Sequence, residues 1–151
     1  MTLMIRDRSY TPLPQSGQSP INYSKSPVVP DEFGASGNGI GYLLWLMLTG
    51  GITGPSDNDI ENLISRGKYS IMIDLMSMRC FVPNCFGERA INYMKYIESA
   101  LTEYFDRKNN FINYHHSDIS LEECMICCRK LATLRGMIKV LRVWIEFHQL
   151  S

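Results

Sequence analysis

Cysteine and histidine are the residue types in this chain that offer the most reactive chemistry. The 151 residues include five cysteines and three histidines. Two cysteines flank a Pro-Asn turn, two more are three positions apart, and two adjacent histidines precede that second pair. Thiolates and imidazoles grouped in this way are the usual ligands of tetrahedral zinc. The candidate metal ligands are Cys80, Cys85, Cys124, Cys127, His115 and His116.

The same cysteines also fit an interpretation without metal, because Cys127 falls on the apolar stripe of a predicted helix. A buried free thiol there packs as a small hydrophobic group. A catalytic cysteine needs a histidine base and an orienting carboxylate or amide, and no local motif pairs such residues here. We therefore expect no enzymatic activity, no cofactor and no small-molecule substrate. A zinc-binding interaction module and a small cysteine-dependent enzyme are the alternatives.

Size and charge restrict the remaining classes. A mass of 17.3 kDa corresponds to one domain, or to one domain with a tail. Fifteen basic and fifteen acidic residues cancel, so the chain has no global basic field for nucleic acid. The odd number of cysteines and the polar N-terminus predict an intracellular protein, in the cytoplasm, at a membrane or in the nucleus, and not a secreted one.

Composition divides the chain near residue 40. Five of the seven prolines lie among the first 30 residues, together with several serines, and prolines at this density prevent a regular helix or a central strand. Glycines follow and provide a hinge. The sequence therefore predicts an extended or disordered arm over residues 1–39 and a globular domain over residues 40–151.

Short motifs in the arm predict a protein partner. Residues 27–30 have the Pro-x-x-Pro spacing that docks into aromatic grooves. Residues 10–13, Tyr-Thr-Pro-Leu, resemble the late-budding peptides near the N-terminus of some viral matrix proteins, with the proline one position later than in their Tyr-Pro-x-Leu order. That resemblance implies recruitment of a host partner. The candidate partner-binding residues are Tyr10, Pro12, Leu13, Pro27 and Pro30.

Two internal helices are predicted in the domain. Ser56 is placed to cap a short helix that Gly67 ends. A second helix runs from about Glu88 to Arg107, since its apolar residues recur every three or four positions. The segments 42–49 and 68–82 are ambiguous between strand and helix and are assigned to a small β element. The predicted fold is therefore mainly helical α+β, with three or more helices and a two- or three-stranded β element.

The last helix is predicted to begin at about Leu121, because Ser120 and Glu123 have capping-box spacing. It carries two apolar ladders, and the second one predicts contact with another copy of the chain. The alternative is a central helix that is buried on both sides. The first ladder is Cys127, Leu131, Leu134, Ile138, Leu141 and Ile145, and the second, the candidate self-association face, is Met137, Val140, Trp144 and Phe147.

Basic residues concentrate on the polar side of this helix. They could contact an anionic membrane surface or RNA phosphates, although a charged row opposite an apolar stripe is usually the solvated face. The candidate anion-contacting residues are Arg129, Lys130, Arg135, Lys139 and Arg142.

Together these features predict a non-enzymatic structural or adaptor protein that forms homo-oligomers. The C-terminal helix would mediate self-association, and the arm would bind a neighbouring or host protein. A small viral matrix-like or accessory protein fits this plan.

Overall fold

The structure, a computed structural model, describes Phe33, residues 39–78 and residues 87–149. Helix makes up 84% of the described residues, and none of them forms a strand. The predicted α+β class is therefore wrong, because the small β element is not seen and the described fold is helical. The five described helices are α1 (Ile40–Leu48), α2 (Asp57–Arg66), α3 (Lys68–Ser77), α4 (Glu88–His115) and α5 (Leu121–Gln149).

The first segment assigned to the β element, residues 42–49, lies almost wholly in α1. The buried side chains of α1 recur at the three- and four-residue spacing of a helix: Ile40, Leu43, Leu44, Met47 and Leu48. The sequence hides this period because most of the helix is apolar, and a short apolar run fits either structure. Among the described helices, none is both long and apolar enough to cross a membrane.

The second such segment contains α3, and its alternating pattern has a helical explanation. Ile71 and Leu75 are buried, whereas Tyr69 and Ile73 are 72% and 62% exposed. Each pair is four residues apart, so each lies on one face of the helix. A helix with two apolar faces offset by two positions produces the same alternation as a strand.

The prediction of α2 is confirmed, including both of its ends. The Oγ atom of Ser56 accepts a hydrogen bond from the backbone N–H of Asp59 at 3.1 Å, and the Ser56 N–H donates to the Asp59 carboxylate at 2.9 Å. This reciprocal capping box satisfies two backbone donors at the start of the helix. Gly67 ends the helix with a φ of 89°, a conformation that favours glycine.

Both long helices occur, but α4 is longer than predicted. It continues past Arg107 and through Asn109 and Asn110 to His115, because Ile112 extends its buried stripe by another two turns. α5 begins at Leu121, as predicted.

The two long helices form the main packing pair, and α1, α2 and α3 pack against them. α3 contacts α5, α1 contacts α4, and α2 contacts both long helices. The centre of the core is fully closed to solvent: Ile40, Leu44, Met94, Ile97, Leu101, Leu134, Met137 and Leu141 are all 0% exposed. Most of these side chains come from α4 and α5, so those helices position the rest of the fold.

Phe33 belongs to this core although it precedes the predicted domain. Its side chain is only 2% exposed. A Cβ atom added to Gly41 would lie 1.7 Å from the Phe33 carbonyl oxygen, so the backbone of Phe33 itself packs tightly against the first turn of α1. The division at residue 39 stays a prediction, since the other arm residues up to 38 lie outside the described residues.

Candidate interaction surface

The candidate surface is built by α3 and the C-terminal half of α5. Gly67 turns the chain between α2 and α3 and is the one residue that separates the two helices. The Cδ atom of Lys68 lies 2.6 Å from the position that a Cβ atom on Gly136 would occupy. The stem of Lys68 therefore covers Gly136, and α3 begins against the middle of α5.

An ion pair between Arg66 and Asp74 also holds α3 in place. The Nη1 atom of Arg66 donates to the Asp74 carboxylate at 3.1 Å, and the Asp74 side chain is only 7% exposed. Gly39, the N-cap of α1, approaches this pair so closely that an added Cβ atom would lie 2.0 Å from the Asp74 carboxylate. The negative charge thus sits where the positive end of the α1 dipole is strongest, and it links α1, α2 and α3.

Large apolar side chains remain exposed on the face of α3 opposite the buried residues Ile71 and Leu75. Tyr69, Ile73 and Met76 are 72%, 62% and 81% exposed, and their spacing of four and three places them on one helical face. On α5, Val143 and Phe147 are 65% and 67% exposed. We call these five residues the outer face.

The two halves of the outer face lie on helices that pack against each other. Val143 and Phe147 follow Gly136 by seven and eleven residues, so they share the side of α5 on which the Lys68 stem covers Gly136. Tyr69, Ile73 and Met76 lie on the face of α3 opposite its buried residues Ile71 and Leu75. The outer face is therefore a set of exposed apolar side chains on two packed helices.

Only part of the predicted self-association ladder lies on this surface. Met137 is 0% exposed and belongs to the core, while Val140 and Trp144 are half-buried. Phe147 is exposed and joins the outer face. The sequence reasoning missed Val143 and the three α3 residues, whose helical spacing was the available signal.

Trp144 and Phe147 both contact the ring of His148. The ring centroids of Trp144 and His148 are 4.2 Å apart, and Phe147 meets His148 edge-on at 5.3 Å. Partial burial among these rings lowers the pKa of His148 from its ordinary value of 6.5. The end of α5 thus favours the neutral imidazole.

The predicted anion-contacting residues are spread around α5 and are largely engaged. Lys130 pairs with Glu61 at 3.2 Å, and the Nε atom of Arg142 donates to Glu98 at 2.7 Å. The Arg135 guanidinium lies 5.3 Å from the centre of the Phe105 ring. Arg129 and Lys139 form no ion pair or hydrogen bond with other residues that we describe. Through these contacts the basic residues link α5 to other helices. They do not form a single binding surface.

The described cysteines and histidines do not converge on a metal site. Cys124, Cys127 and Cys128 are free thiols, and no group of three potential ligands occurs in residues 39–78 and 87–149. Burial, together with the neighbouring Cys128, raises the pKa of Cys124. A raised pKa disfavours the thiolate that metal binding and nucleophilic attack require. Cys80 and Cys85 lie outside the described residues.

The two central histidines have local partners. The Nδ1 atom of His115 lies 3.5 Å from the Asp118 carboxylate, and the Nδ1 atom of His116 lies 3.0 Å from the Asn113 carbonyl oxygen. Both contacts join residues three positions apart at the end of α4. They hold the turn that leads from α4 into α5.

The partner-binding residues predicted in the arm also lie outside the described residues: Tyr10, Pro12, Leu13, Pro27 and Pro30. Comparisons with known proteins add no further assignment. No family model matches the chain, and neither a curated protein nor a solved structure matches it.

Proposed function

We propose that this protein is a non-enzymatic assembly protein that associates with copies of itself through the outer face. The observation that carries the proposal is the exposure of five large apolar side chains on α3 and α5, two helices that pack together: Tyr69, Ile73, Met76, Val143 and Phe147. Side chains of this size contribute most to association when a partner removes them from water. Exposed apolar strips on soluble proteins commonly mark interaction sites.

The arm provides a second kind of contact in this proposal. Its Pro-x-x-Pro segment and its Tyr-Thr-Pro-Leu segment would bind a neighbouring or host protein, while the helical domain supplies self-association. Such a division of roles fits a small matrix-like or accessory protein that acts inside the cell.

A single charged substitution on the outer face tests the self-association. Val143→Glu places a carboxylate on the α5 half of the outer face, at a position that is already solvent-exposed. We expect the association constant to fall about tenfold or more, because interface anchors commonly contribute about 2 kcal/mol. Sedimentation velocity over a wide concentration range measures the mass, and a circular dichroism melt shows that the monomer stays folded.

Asn92→Glu is the matched control, since it adds the same charge at an exposed position of α4. The control should keep the parental mass distribution. A parent that stays at 17.3 kDa at all concentrations, or a Val143→Glu protein with the parental mass distribution, contradicts the proposal.

The arm is tested by deleting residues 1–32, which leaves Phe33 in place. We expect the helical signal and the cooperative melt to persist, because the prolines and serines of this segment are poor core formers. Binding of the neighbouring or host protein that the arm contacts should be lost. If the truncated protein is molten, the arm is part of the fold and the proposed division of roles is wrong.

A further inference from the structure

A second exposed apolar patch lies at the opposite end of α5. Leu121 and Met125 are 78% and 54% exposed, and their spacing of four residues places them on one face of the first two helical turns. We call these two residues, with the carboxylates of Asp118, Glu122 and Glu123, the hairpin end. It is separated from Val143 by more than four turns of α5.

The net charges around the two apolar patches are opposite in sign. The hairpin end carries three exposed carboxylates, against which stands the exposed cation Arg129 one turn beyond Met125, while the next residue, Lys130, is paired with Glu61. The outer face is flanked by Lys68 and Lys139, which are both exposed, and by the single acid Glu146. Two outer faces would bring their lysines together, whereas a hairpin end would bring acids to them.

The capping geometry leaves the acidic charge of the hairpin end available. One carboxylate oxygen of Glu123 accepts a hydrogen bond from the Ser120 N–H at 3.4 Å, which is a contact within the first turn of the helix. Asp118 is 72% exposed and contacts only His115 among the described residues. Glu122 points into solvent in the first turn of α5.

We propose that the hairpin end of one copy docks on the outer face of the next copy. Leu121 and Met125 would pack against the exposed apolar side chains of the outer face, with the acids of one copy beside Lys68 and Lys139 of the other. This inference rests on the proposed self-association and specifies its geometry. A contact between two different surfaces is heterologous, so it leaves a free surface at each end and extends into a ring or an open array.

A stable interface buries about 800 Å² on each partner, so a chain that binds two neighbours at once needs two well-separated surfaces. α5 spans about 43 Å at 1.5 Å per residue over 29 residues, so its two ends are far enough apart to serve two neighbours at once.

Two complementary variants test the geometry. Val143→Glu disrupts binding through the outer face and leaves the hairpin end intact. Met125→Lys disrupts binding through the hairpin end and leaves the outer face intact. Each variant alone should be monomeric. An equimolar mixture should form a 1:1 heterodimer, because one intact copy of each surface remains, and the parent alone should grow beyond twice 17.3 kDa with concentration.

The outcomes separate this inference from the proposed function. If Met125→Lys keeps the parental mass while Val143→Glu is monomeric, the outer face pairs with itself, so self-association stands and the head-to-tail geometry is wrong. A parent that stops at a dimer, or a mixture that stays monomeric, also overturns the geometry. Circular dichroism melts test whether both variants are folded. Leu121→Gln provides a second hairpin-end variant in case Met125→Lys does not fold.

Charge reversal gives a second measurement. Glu122→Lys and Lys139→Glu should each weaken association about two- to fivefold, which is the usual effect of one exposed ion pair. The two substitutions together in one chain should restore part of the loss, because the hairpin end then carries a cation and the outer face an anion. A double variant that is weaker than both single variants contradicts the proposed charge pairing.

Discussion

Two sides of α5 differ in how their exposed residues are used. On the side toward α4, the charged residues Arg135 and Arg142 are exposed but already contact Phe105, Glu98 and Thr102. On the side toward α3, Val143 and Phe147 expose large apolar surfaces at 65% and 67%. The charged side therefore connects two helices of one chain, whereas the apolar side offers surface that a second chain can bury.

This difference shows why counting charges along a helix is a poor guide to a binding site. The sequence places five basic residues on α5, yet Lys130, Arg135 and Arg142 each have a partner within the fold. An exposed ion pair contributes little free energy. Burial of exposed apolar side chains contributes about 25 cal/mol for each Å² removed from water.

The largest expected effect compares the buried ladder of α5 with its exposed apolar side. Met137→Ala should lower the free energy of unfolding by about 2–5 kcal/mol, because Met137 is 0% exposed and its loss leaves a cavity. Val143→Ala should change the same quantity by less than about 0.5 kcal/mol. Urea melts of both variants measure the difference. Similar losses for the two would mean that Val143 is part of the core.

The next effect concerns the ion pair that holds α3, and it should be asymmetric. Arg66→Ala leaves the Asp74 carboxylate, only 7% exposed, without this cation, and should cost about 3 kcal/mol of stability. Asp74→Ala should cost less, about 1–2 kcal/mol, because the Arg66 side chain is 26% exposed and reaches water. Denaturant melts of the two variants measure both losses of stability. Equal losses would show that solvent does not rescue the guanidinium.

Much of this fold follows from local sequence patterns. The Ser56 and Ser120 caps fix the start of α2 and α5, since a capping box needs only residues three positions apart. The end of α4 was missed because Asn109 and Asn110 favour termination locally, whereas burial of Ile112 outweighs that preference. Tertiary packing decided this boundary.

The candidate site was less predictable than the helices. Phe147 was identified from its ladder, but Met137 on the same ladder is buried because the face is wide enough to reach the core. The α3 half of the outer face could not be recognised while residues 68–82 were assigned to a strand, since its neighbours on α5 are far away in sequence. Which exposed apolar residues become adjacent depends on helix packing, which spacing alone does not specify.

A smaller effect is expected on the charged side of α5. Arg142→Ala removes the 2.7 Å contact with Glu98 and should lower stability by about 0.2–1 kcal/mol without changing the oligomeric mass. Lys139→Ala should leave stability unchanged within about 0.5 kcal/mol, since Lys139 has no ion-pair partner among the described residues. Calorimetry and sedimentation check both statements. A loss of assembly in Arg142→Ala would move the interaction surface to this side.

Apart from the Lys139→Ala control, the smallest effect should come from the protonation of His148 near the end of α5. Its pKa is lowered by partial burial against Trp144 and Phe147, so the folded state binds a proton less readily than the unfolded state. Stability should therefore be constant above the ordinary pKa of 6.5 and should fall as the pH drops below that value.

His148→Gln tests this because it keeps a polar side chain and removes the titration. Denaturant melts at pH 7.5 and pH 5.5 should show a smaller loss of stability in the variant than in the parent. Because the outer face includes Phe147, the parent should also associate more weakly at the lower pH, since a protonated His148 places a cation beside that ring. A variant that loses as much stability on acidification as the parent would assign the pH dependence to other groups and leave His148 as a packing residue.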